Sequence, residues 1–221
     1  LYSVFGSNYI TSDGQAYVSH SNTTGVNTQY LANYKRTFAD IHNVDVLVGY
    51  ENYKLRMQGL SGSNDHLFNP FLGELDNAHG KNKKIVSSST DRYITDGSLS
   101  RFQYDYAGKY VVSASYRRDA SSGFHKDNRW GNFGSIGANW IISEEDFMQS
   151  LTWINSLKFR ANYGQVGNDA GTGYYGYMGL YAGSQNANIG AYYLSQNEAL
   201  DLKWETGEAY GIALEGRLFN R

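Results

Sequence analysis

The chain has 221 residues, a net charge of −2 and no cysteine. The lack of cysteine excludes disulfides and thiolate metal sites. The near-neutral charge argues against nucleic-acid binding, because a phosphate binder carries a basic patch or stripe. Tyrosine is abundant, with 20 residues beside 10 Phe and 4 Trp, and there are 25 Gly but a single Pro. This composition favours strands and turns over helices.

Seven segments alternate apolar and polar residues with the two-residue period of a β-strand. In chain order they are 30–36, 44–51, 100–106, 110–118, 133–142, 157–164 and 210–218. Several approach the ~9–11 residues that a tilted strand needs to cross a bilayer. We therefore expect an all-β fold, an antiparallel transmembrane β-barrel segment of about seven strands, because barrel strands present one apolar and one polar face.

The connections alternate between short and long. Short links are expected at 37–43 and 107–108, and much longer ones at 61–95 and 168–200. Outer-membrane barrels have short periplasmic turns and long extracellular loops, so this rhythm favours a barrel. A third periplasmic link, 143–155, is predicted to hold one helical turn with Ser143 as its N-cap.

Aromatic side chains are concentrated near the predicted strand ends, where rings with polar tips form girdles at the two membrane surfaces. The candidates are Tyr34, Phe38, Tyr50, Tyr106, Tyr110, Trp140, Trp153, Tyr163 and Trp204. The alternative is that these rings fill the core of a soluble protein.

From residue 117 onward, several co-linear motifs resemble one known family. They are RRDASSGF at 117–124, NRWGNFGS at 128–135, WIISEEDF at 140–147, LKFRANYGQVGN at 157–168 and LKWET at 202–206. Together they are similar to the C-terminal half of the barrel in the SusC/RagA-like TonB-dependent transporters of Bacteroidota. The resemblance covers about residues 30–221, with divergent loops.

The resemblance implies a barrel of roughly 22 strands with a plugged lumen. It also implies residence in the outer membrane, a surface SusD-like lipoprotein as partner, and energy delivered by TonB. The imported nutrients would be oligosaccharides or peptides, and no cofactor is expected. We expect residues 1–221 to be part of one barrel domain that contains no plug domain, with TonB contacting a missing N-terminal region.

Two groups of residues are candidate functional positions. Charged residues on the polar strand faces are expected to line the lumen: Arg117, Lys158, Arg160, Glu215 and Arg217. Tyrosines of the 168–200 loop are expected to bind substrate, because sugar rings stack on aromatic faces and the hydroxyl adds polar contacts. They are Tyr174, Tyr175, Tyr177, Tyr181, Tyr192 and Tyr193. The alternative is that these rings pack the loops together or contact the lipoprotein.

Enzymatic and metal chemistry are not expected. The five histidines at positions 20, 42, 66, 79 and 125 are scattered and lack a zinc-hydrolase spacing. The acidic run 144–146 suggests paired glycosidase carboxylates, but capping of a helical first turn is the favoured interpretation. Gly131, Gly134 and Gly137 do not form a dinucleotide-binding pattern and are expected to mark bends or close packing of the plug.

Two rival interpretations stay open at the level of sequence. The first is a soluble all-β carbohydrate-binding or glycosidase-associated domain, which would bury its apolar faces between two sheets. The second is a porin-like barrel that does not use TonB.

Overall fold

The computed structural model describes residues 14–69, 71–78, 85–186 and 189–219. Within them it contains nine strands: β1 (Gln15–Phe38), β2 (His42–Asp65), β3 (Ile85–Tyr106), β4 (Tyr110–Ser121), β5 (Trp130–Ile141), β6 (Ile154–Asn168), β7 (Leu180–Asn186), β8 (Ile189–Gln196) and β9 (Glu205–Leu218). Three one-turn 3-10 helices cover Leu75–Asn77, Ile142–Glu144 and Asp146–Met148. No helix in these residues is long and apolar enough to cross a membrane.

Seven strands form one sheet in the order β1-β2-β3-β4-β5-β6-β9, and β7 pairs separately with β8. The pairs β3–β4, β4–β5, β5–β6 and β6–β9 are all antiparallel. The predicted fold class, an all-β segment of an antiparallel transmembrane-type barrel with about seven strands, is confirmed. The strands β1 and β2 have 24 residues each and β3 has 22, which is longer than the alternating segments of the sequence indicated.

The chain divides into two compact units. The first comprises Leu1–Val26 and Lys54–Tyr93, and the second comprises Asn27–Tyr53 and Ile94–Arg221. In the first unit, Asn64 donates hydrogen bonds from Nδ2 to the carbonyl oxygens of Leu75 (3.3 Å) and Ala78 (3.0 Å). These bonds fasten the connection between β2 and β3.

In the second unit, strand register gives the sheet two chemically different faces. Tyr110 lies opposite Trp140, Trp140 opposite Phe159, and Phe159 opposite Leu214. Because side chains alternate along a strand, these residues mark one apolar face. The same face carries Phe102, Tyr104, Val112, Ala114, Ile136, Ala138, Ala161, Tyr163, Tyr210 and Ile212.

The short connections of the second unit lie side by side at one edge of the sheet. Ala107 donates from its backbone N–H to the Ile41 carbonyl (2.7 Å), and Ile141 donates to the Lys109 carbonyl (2.8 Å). The predicted short links are therefore confirmed at this edge. The 12-residue link 142–153 lies at the same edge as these turns, and the connections 122–129 and 169–204 leave the opposite strand ends, the long-connection end.

Two details of the connections differ from expectation. The loop predicted at 168–200 contains the hairpin β7–β8, which the sequence analysis missed. In the link 142–153, the backbone forms two 3-10 turns whose N-caps are Ile141 and Glu145, and neither cap makes a side-chain hydrogen bond. The capping role predicted for Ser143 is therefore wrong, because the N-cap lies two residues earlier, at Ile141, and Ser143 lies inside the first turn.

Candidate functional site

A small aromatic core lies beneath the long connections of the second unit. Phe124 is completely buried, and its ring centroid lies 5.4 Å from that of Trp204. Trp204 also makes an edge contact with Phe133, with 5.5 Å between centroids, and donates from Nε1 to the Arg129 carbonyl oxygen at 2.8 Å. Trp204 thus packs inside the loops with its polar tip satisfied. Its predicted place in a membrane girdle is wrong.

Two glycines make room for the Phe133 ring. A Cβ atom on Gly167 would lie 2.1 Å from Cζ of Phe133, and one on Gly131 would lie 2.5 Å from the same atom. Neither separation is sterically possible, so any larger residue would displace the ring from the core. Gly131 marks a close approach of the Phe133 ring, and the close packing of a plug that was expected there stays a prediction.

The two long connections are tied to each other. Asn128 donates from Nδ2 to the Leu200 carbonyl oxygen at 2.8 Å. The His125 ring makes an edge contact with Tyr177, with 5.8 Å between centroids. Gln196 donates hydrogen bonds from Nε2 to the carbonyl oxygens of Tyr175 (3.0 Å) and Met178 (2.9 Å). These contacts hold the two connections together. The sequence analysis predicted no role for Asn128, Gln196 or Leu200.

The six tyrosines predicted to bind substrate fall into two groups. Tyr174, Tyr175 and Tyr177 are half-buried in the turns that precede β7. The other three lie on the hairpin and are exposed: Tyr181 by 71%, Tyr192 by 82% and Tyr193 by 58%.

The hairpin register decides which exposed rings lie together. Tyr181 lies opposite Leu194, and Tyr192 lies opposite Gly183. Because alternate residues share a face, Tyr181, Tyr192 and Leu194 occupy one side of the hairpin, while Tyr193 occupies the other. Diagonal neighbours on one face are ~7–8 Å apart, within reach of aromatic side chains. The structure therefore offers a two-ring apolar platform next to a glycine.

On the polar face of the sheet, Arg117 is the centre of a hydrogen-bonded network. Its Nε lies 2.8 Å from both carboxylate oxygens of Asp119, and its Nη2 lies 3.2 Å from Oε2 of Glu51. Glu51 in turn accepts bonds from Asn27 (3.1 Å) and Gln29 (2.9 Å). The pairing with Asp119 agrees with the local sequence, whereas Glu51 is 66 residues away and gave no sequence signal.

A second charged cluster spans β6 and β9. Oε1 of Glu215 lies 3.2 Å from Nη1 of Arg160, and Oε2 lies 3.7 Å from Nζ of Lys158. Arg217 lies opposite Ser156 beyond a register irregularity.

Register places all five predicted charged residues on the same face of the sheet. Val111, on the face of Arg117, lies opposite Asn139, and Asn139 lies opposite Arg160. Lys158 lies opposite Glu215, two residues before Arg217. The structure places Arg117 in one cluster and Lys158, Arg160 and Glu215 in a second, and Arg217 lies beyond the second cluster on the same polar surface.

The edge of the sheet that carries the turns 39–41 and 107–109 and the link 142–153 is the short-connection edge. There, Glu145 joins the 142–153 link to the sheet. It accepts a hydrogen bond from the Tyr110 hydroxyl, and its Oε1 accepts another from Nε1 of Trp140 at 2.9 Å. Nζ of Lys109 lies 3.6 Å from Oε2. The Tyr110 bond, followed by that of Trp140, lowers the pKa of Glu145 below its ordinary value of 4.5. The carboxylate is therefore a structural acceptor rather than a general acid.

The rings beside Glu145 continue along the edge as an aromatic row. Tyr110 stacks on Trp140 with 6.4 Å between centroids, and on Tyr106 with 6.3 Å. His42 contacts Tyr106 at 5.1 Å. Of the predicted girdle, Tyr106, Tyr110 and Trp140 are brought together here.

Among the described residues, no group of three or more His, Asp or Glu side chains is placed to hold a metal ion. His79 lies outside these residues. His42 bonds through Nδ1 to the Tyr104 hydroxyl at 2.7 Å, and His125 lies against Asp127. His42 and His125 thus have local partners on separate elements.

The sheet has one apolar and one polar face, with short turns at one edge and long connections at the other. These features define a segment of a transmembrane-type β-barrel. No family model matches the chain. A TonB-dependent receptor of Formosa agariphila is 33% identical over 86% of this chain, which spans 18% of that receptor. The TonB-dependent receptor SusC of Bacteroides thetaiotaomicron is 25% identical over 98% of this chain and is covered to 21%.

A solved structure has the same fold. The structure of the RagAB peptide transporter superposes with a TM-score of 0.85 at 23% identity, covering 92% of this chain and 23% of that one. Over most of its length the chain is therefore similar to part of the barrel of TonB-dependent receptors, SusC among them, and the resemblance inferred from the motifs is confirmed. It spans about a fifth of the length of the curated relatives it matches. These relatives are named as receptors, and none is named as an enzyme.

Proposed function

We propose that the chain forms part of the wall of an outer-membrane barrel that imports nutrients with energy from TonB. The observation that carries this proposal is the contrast between the two faces of the sheet. One face presents apolar and aromatic side chains, and the other presents Arg117 and Glu215 in hydrogen-bonded charged clusters. In this proposal, the apolar face contacts lipid, and the charged face contacts a hydrated lumen that holds a plug.

The exposure of the apolar face argues against the soluble alternative. Ile136 and Tyr116 lie on internal strands, yet they are 56% and 48% exposed. A soluble carbohydrate-binding domain would cover such residues with a second sheet, whereas the seven-stranded sheet carries no second sheet against this face among the described residues. A contiguous apolar surface of this kind marks contact with a membrane or a partner.

We assign the polar face to the lumen and the loop tyrosines to the substrate. Lumen-facing residues would be Arg117, Lys158, Arg160, Glu215 and Arg217. The substrate would be an oligosaccharide or a peptide, because both present CH-rich surfaces that stack on rings and polar groups that meet hydroxyls. RagAB is named a peptide transporter, which supports the peptide class. The platform formed by Tyr181 and Tyr192 is the part of the loops best placed for stacking.

The complete polypeptide would work with partners. A SusD-like lipoprotein would meet the long connections, and TonB would contact a region that precedes this chain. The protein would carry no cofactor and catalyse no reaction. Uptake of the ligand is expected to disappear from cells that lack the complete receptor and from cells that lack TonB. Uptake that persists in both strains contradicts the proposal.

The tyrosine platform gives a residue-level test in the complete receptor. Tyr181→Ala and Tyr192→Ala are each expected to weaken binding of the ligand by about 2- to 10-fold, the value of one aromatic stacking contact. Tyr193→Ala is the matched control, since it removes an exposed ring from the opposite side of the hairpin. Calorimetric titration with panels of oligosaccharides and short peptides measures the effect. Equal losses for all three variants would show that the platform has no special role.

A further inference from the structure

The hairpin β7–β8 is a two-stranded sheet with two open edges. Its strands pair with each other, and among the described residues neither joins the seven-stranded sheet. An isolated two-stranded hairpin is only marginally stable in water and gains stability from a third strand. An open edge presents a row of unpaired backbone N–H and C=O groups, which is a template for another extended chain.

The register decides which backbone groups face outward. Two residues separate Asn186 from Ile189, so these partners are the hydrogen-bonded pair that closes a two-residue turn. Hydrogen-bonded and non-hydrogen-bonded pairs alternate along an antiparallel ladder. Gly190, Tyr192 and Leu194 therefore turn their backbone N–H and C=O groups away from β7, toward the open edge of β8.

The edge of β8 is more open than the edge of β7. A Cβ atom on Gly183 would lie 3.9 Å from Cε1 of Tyr192, so the Tyr192 ring leans across the hairpin toward β7. A Cβ atom on Gly190 would meet no heavy atom of the described residues within 4 Å. Ile189 and Leu194, also on β8, are exposed. An incoming strand therefore finds an uncovered backbone and apolar side chains along β8.

The hairpin lacks the features that keep other chains away from an open edge. Proteins protect such edges with Lys, Pro or bulges, but no charged residue and no proline occurs between Leu180 and Gln196. The only irregularity in the hairpin register lies at its base, between Leu180 and Tyr181. The edge from 189 to 194 stays regular, and its Ile and two Tyr favour the strand conformation.

The chemistry of this edge fits an extended peptide better than a sugar chain. Outward N–H and C=O groups recur at every second residue, about 7 Å apart. Another extended backbone offers acceptors and donors with the same repeat, whereas sugar hydroxyls do not. In recognition by strand addition, main-chain hydrogen bonds supply affinity and alternate side chains supply specificity. The absence of charge from β7 and β8 accepts peptides of either sign.

We propose that the β8 edge, residues 189–194, binds an extended peptide as a third strand of the hairpin. This inference rests on the proposed import function and narrows its two substrate classes to peptides. Every second side chain of the bound peptide lies on the same side of the hairpin as Tyr192 and Leu194, where it contacts the platform. The backbone contacts are the same for any sequence, so the edge binds peptides of varied composition.

The first test leaves the protein unchanged. Octapeptides of varied, mostly uncharged sequence are titrated by calorimetry into the complete receptor in detergent, with a linear glucan heptamer as the sugar probe. The tightest peptide is then N-methylated at one position at a time. Loss of a donor that faces β8 should weaken binding by about 3- to 10-fold, and methylation at the alternate positions by less than about 2-fold. A series without a two-residue period overturns strand addition.

The second test removes one outward N–H group from each edge of the hairpin. Proline has no N–H and is tolerated where that group faces away from the ladder. Gly190→Pro changes the β8 edge, and Gly183→Pro is the matched control at the β7 edge. A Cβ atom has room at both glycines, and neither has a positive φ. Gly190→Pro should weaken peptide binding by about 3- to 10-fold, and Gly183→Pro should leave it unchanged.

Other results would overturn the inference in distinct ways. Equal losses in the two proline variants, or a loss confined to Gly183→Pro, overturn the assignment to the β8 edge. A receptor that binds the glucan heptamer and none of the peptides overturns the peptide as occupant and leaves the import proposal standing.

The remaining outcomes separate other occupants from a failure of the import function. If Gly190→Pro dissociates a receptor dimer, or releases the SusD-like lipoprotein, while peptide affinity is unchanged, the edge binds that protein and the peptide assignment is overturned. Peptide uptake that persists without the complete receptor and without TonB contradicts the import proposal itself. The two failures are therefore distinguishable.

Discussion

The two ends of the strands in the second unit are held by different interactions. At the short-connection edge, neighbouring turns exchange backbone hydrogen bonds and Glu145 accepts bonds from two ring groups. At the long-connection end, the buried Phe124 packs with Trp204 and Phe133. The three-residue turns 39–41 and 107–109 lose little chain entropy on ordering and need few contacts, and Glu145 holds the 12-residue link 142–153. The connections of 8 and 36 residues at the other end have a packed core of their own. Large loops can therefore stay ordered at this end.

The largest effect is expected from emptying the aromatic core. Phe124→Ala should lower local stability by about 3–5 kcal/mol, because it leaves a cavity in a fully buried site. Hydrogen exchange in the complete receptor should accelerate throughout 122–129 and 169–204 and stay unchanged at the 142–153 link. Phe147→Ala is the control: this ring is 63% exposed, and its loss should cost less than about 0.5 kcal/mol. Exchange that rises equally at both ends would show that the ends are not independent.

An intermediate effect is expected from the polar face between the two ends. A double-mutant cycle of Arg117→Gln and Asp119→Asn should give a coupling of about 1 kcal/mol. The charge-assisted pair, in which Nε of Arg117 is shared between the two carboxylate oxygens of Asp119, is favourable, but Arg117 is 48% exposed and water screens it. The same cycle at Lys158 and Glu215, 3.7 Å apart and both more than 30% exposed, should give less than about 0.5 kcal/mol. Urea unfolding in detergent measures both, and a larger coupling at Lys158 would reverse the ranking.

The smallest effect concerns pH at the short-connection edge. The folded-state pKa of Glu145 is lowered by the Tyr110 hydroxyl first and by Trp140 second. Its contribution to stability is therefore fully present above the ordinary pKa of 4.5 and is lost as pH falls through the lower folded value. Exchange at residues 142–153, corrected for its intrinsic pH dependence, should be constant from pH 7 to 5 and should rise below that window. E145Q should remove the pH dependence, and a transition between pH 6 and 7 would assign it to another group.

Local sequence pattern was sufficient for the strands and their faces. The alternation in 110–118 and 157–164 predicted the apolar and polar sides of β4 and β6 as the register has them. That success has a physical cause, because a period of two is a property of neighbouring residues on one strand. The same reasoning placed Lys158, Arg160 and Glu215 on one polar face. It also found the short links, whose residues are adjacent in sequence.

The hairpin β7–β8 was missed although its sequence carried a weak signal. Two segments with Tyr, Ile and Leu, 180–186 and 189–196, are separated by two residues, which is the length of the commonest hairpin connection. Their glycines and polar residues made them read as loop. The register that unites Tyr181 with Tyr192 could be decided only once the pairing was known.

By itself, the sequence determined the strand periodicity, the two faces of the sheet and, through its ordered motifs, the SusC/RagA-like relationship. Only the tertiary structure showed that Trp204 packs in the core under the loops and not in a membrane girdle. It also showed that the Phe133 ring packs against Gly167 and that Arg117 hydrogen-bonds to Glu51. In the link 142–153, the stabilising contacts come from Glu145 and not from a cap at Ser143. Each of these depends on groups far apart in the chain, and pairing across strands is set by register and packing that no local pattern encodes.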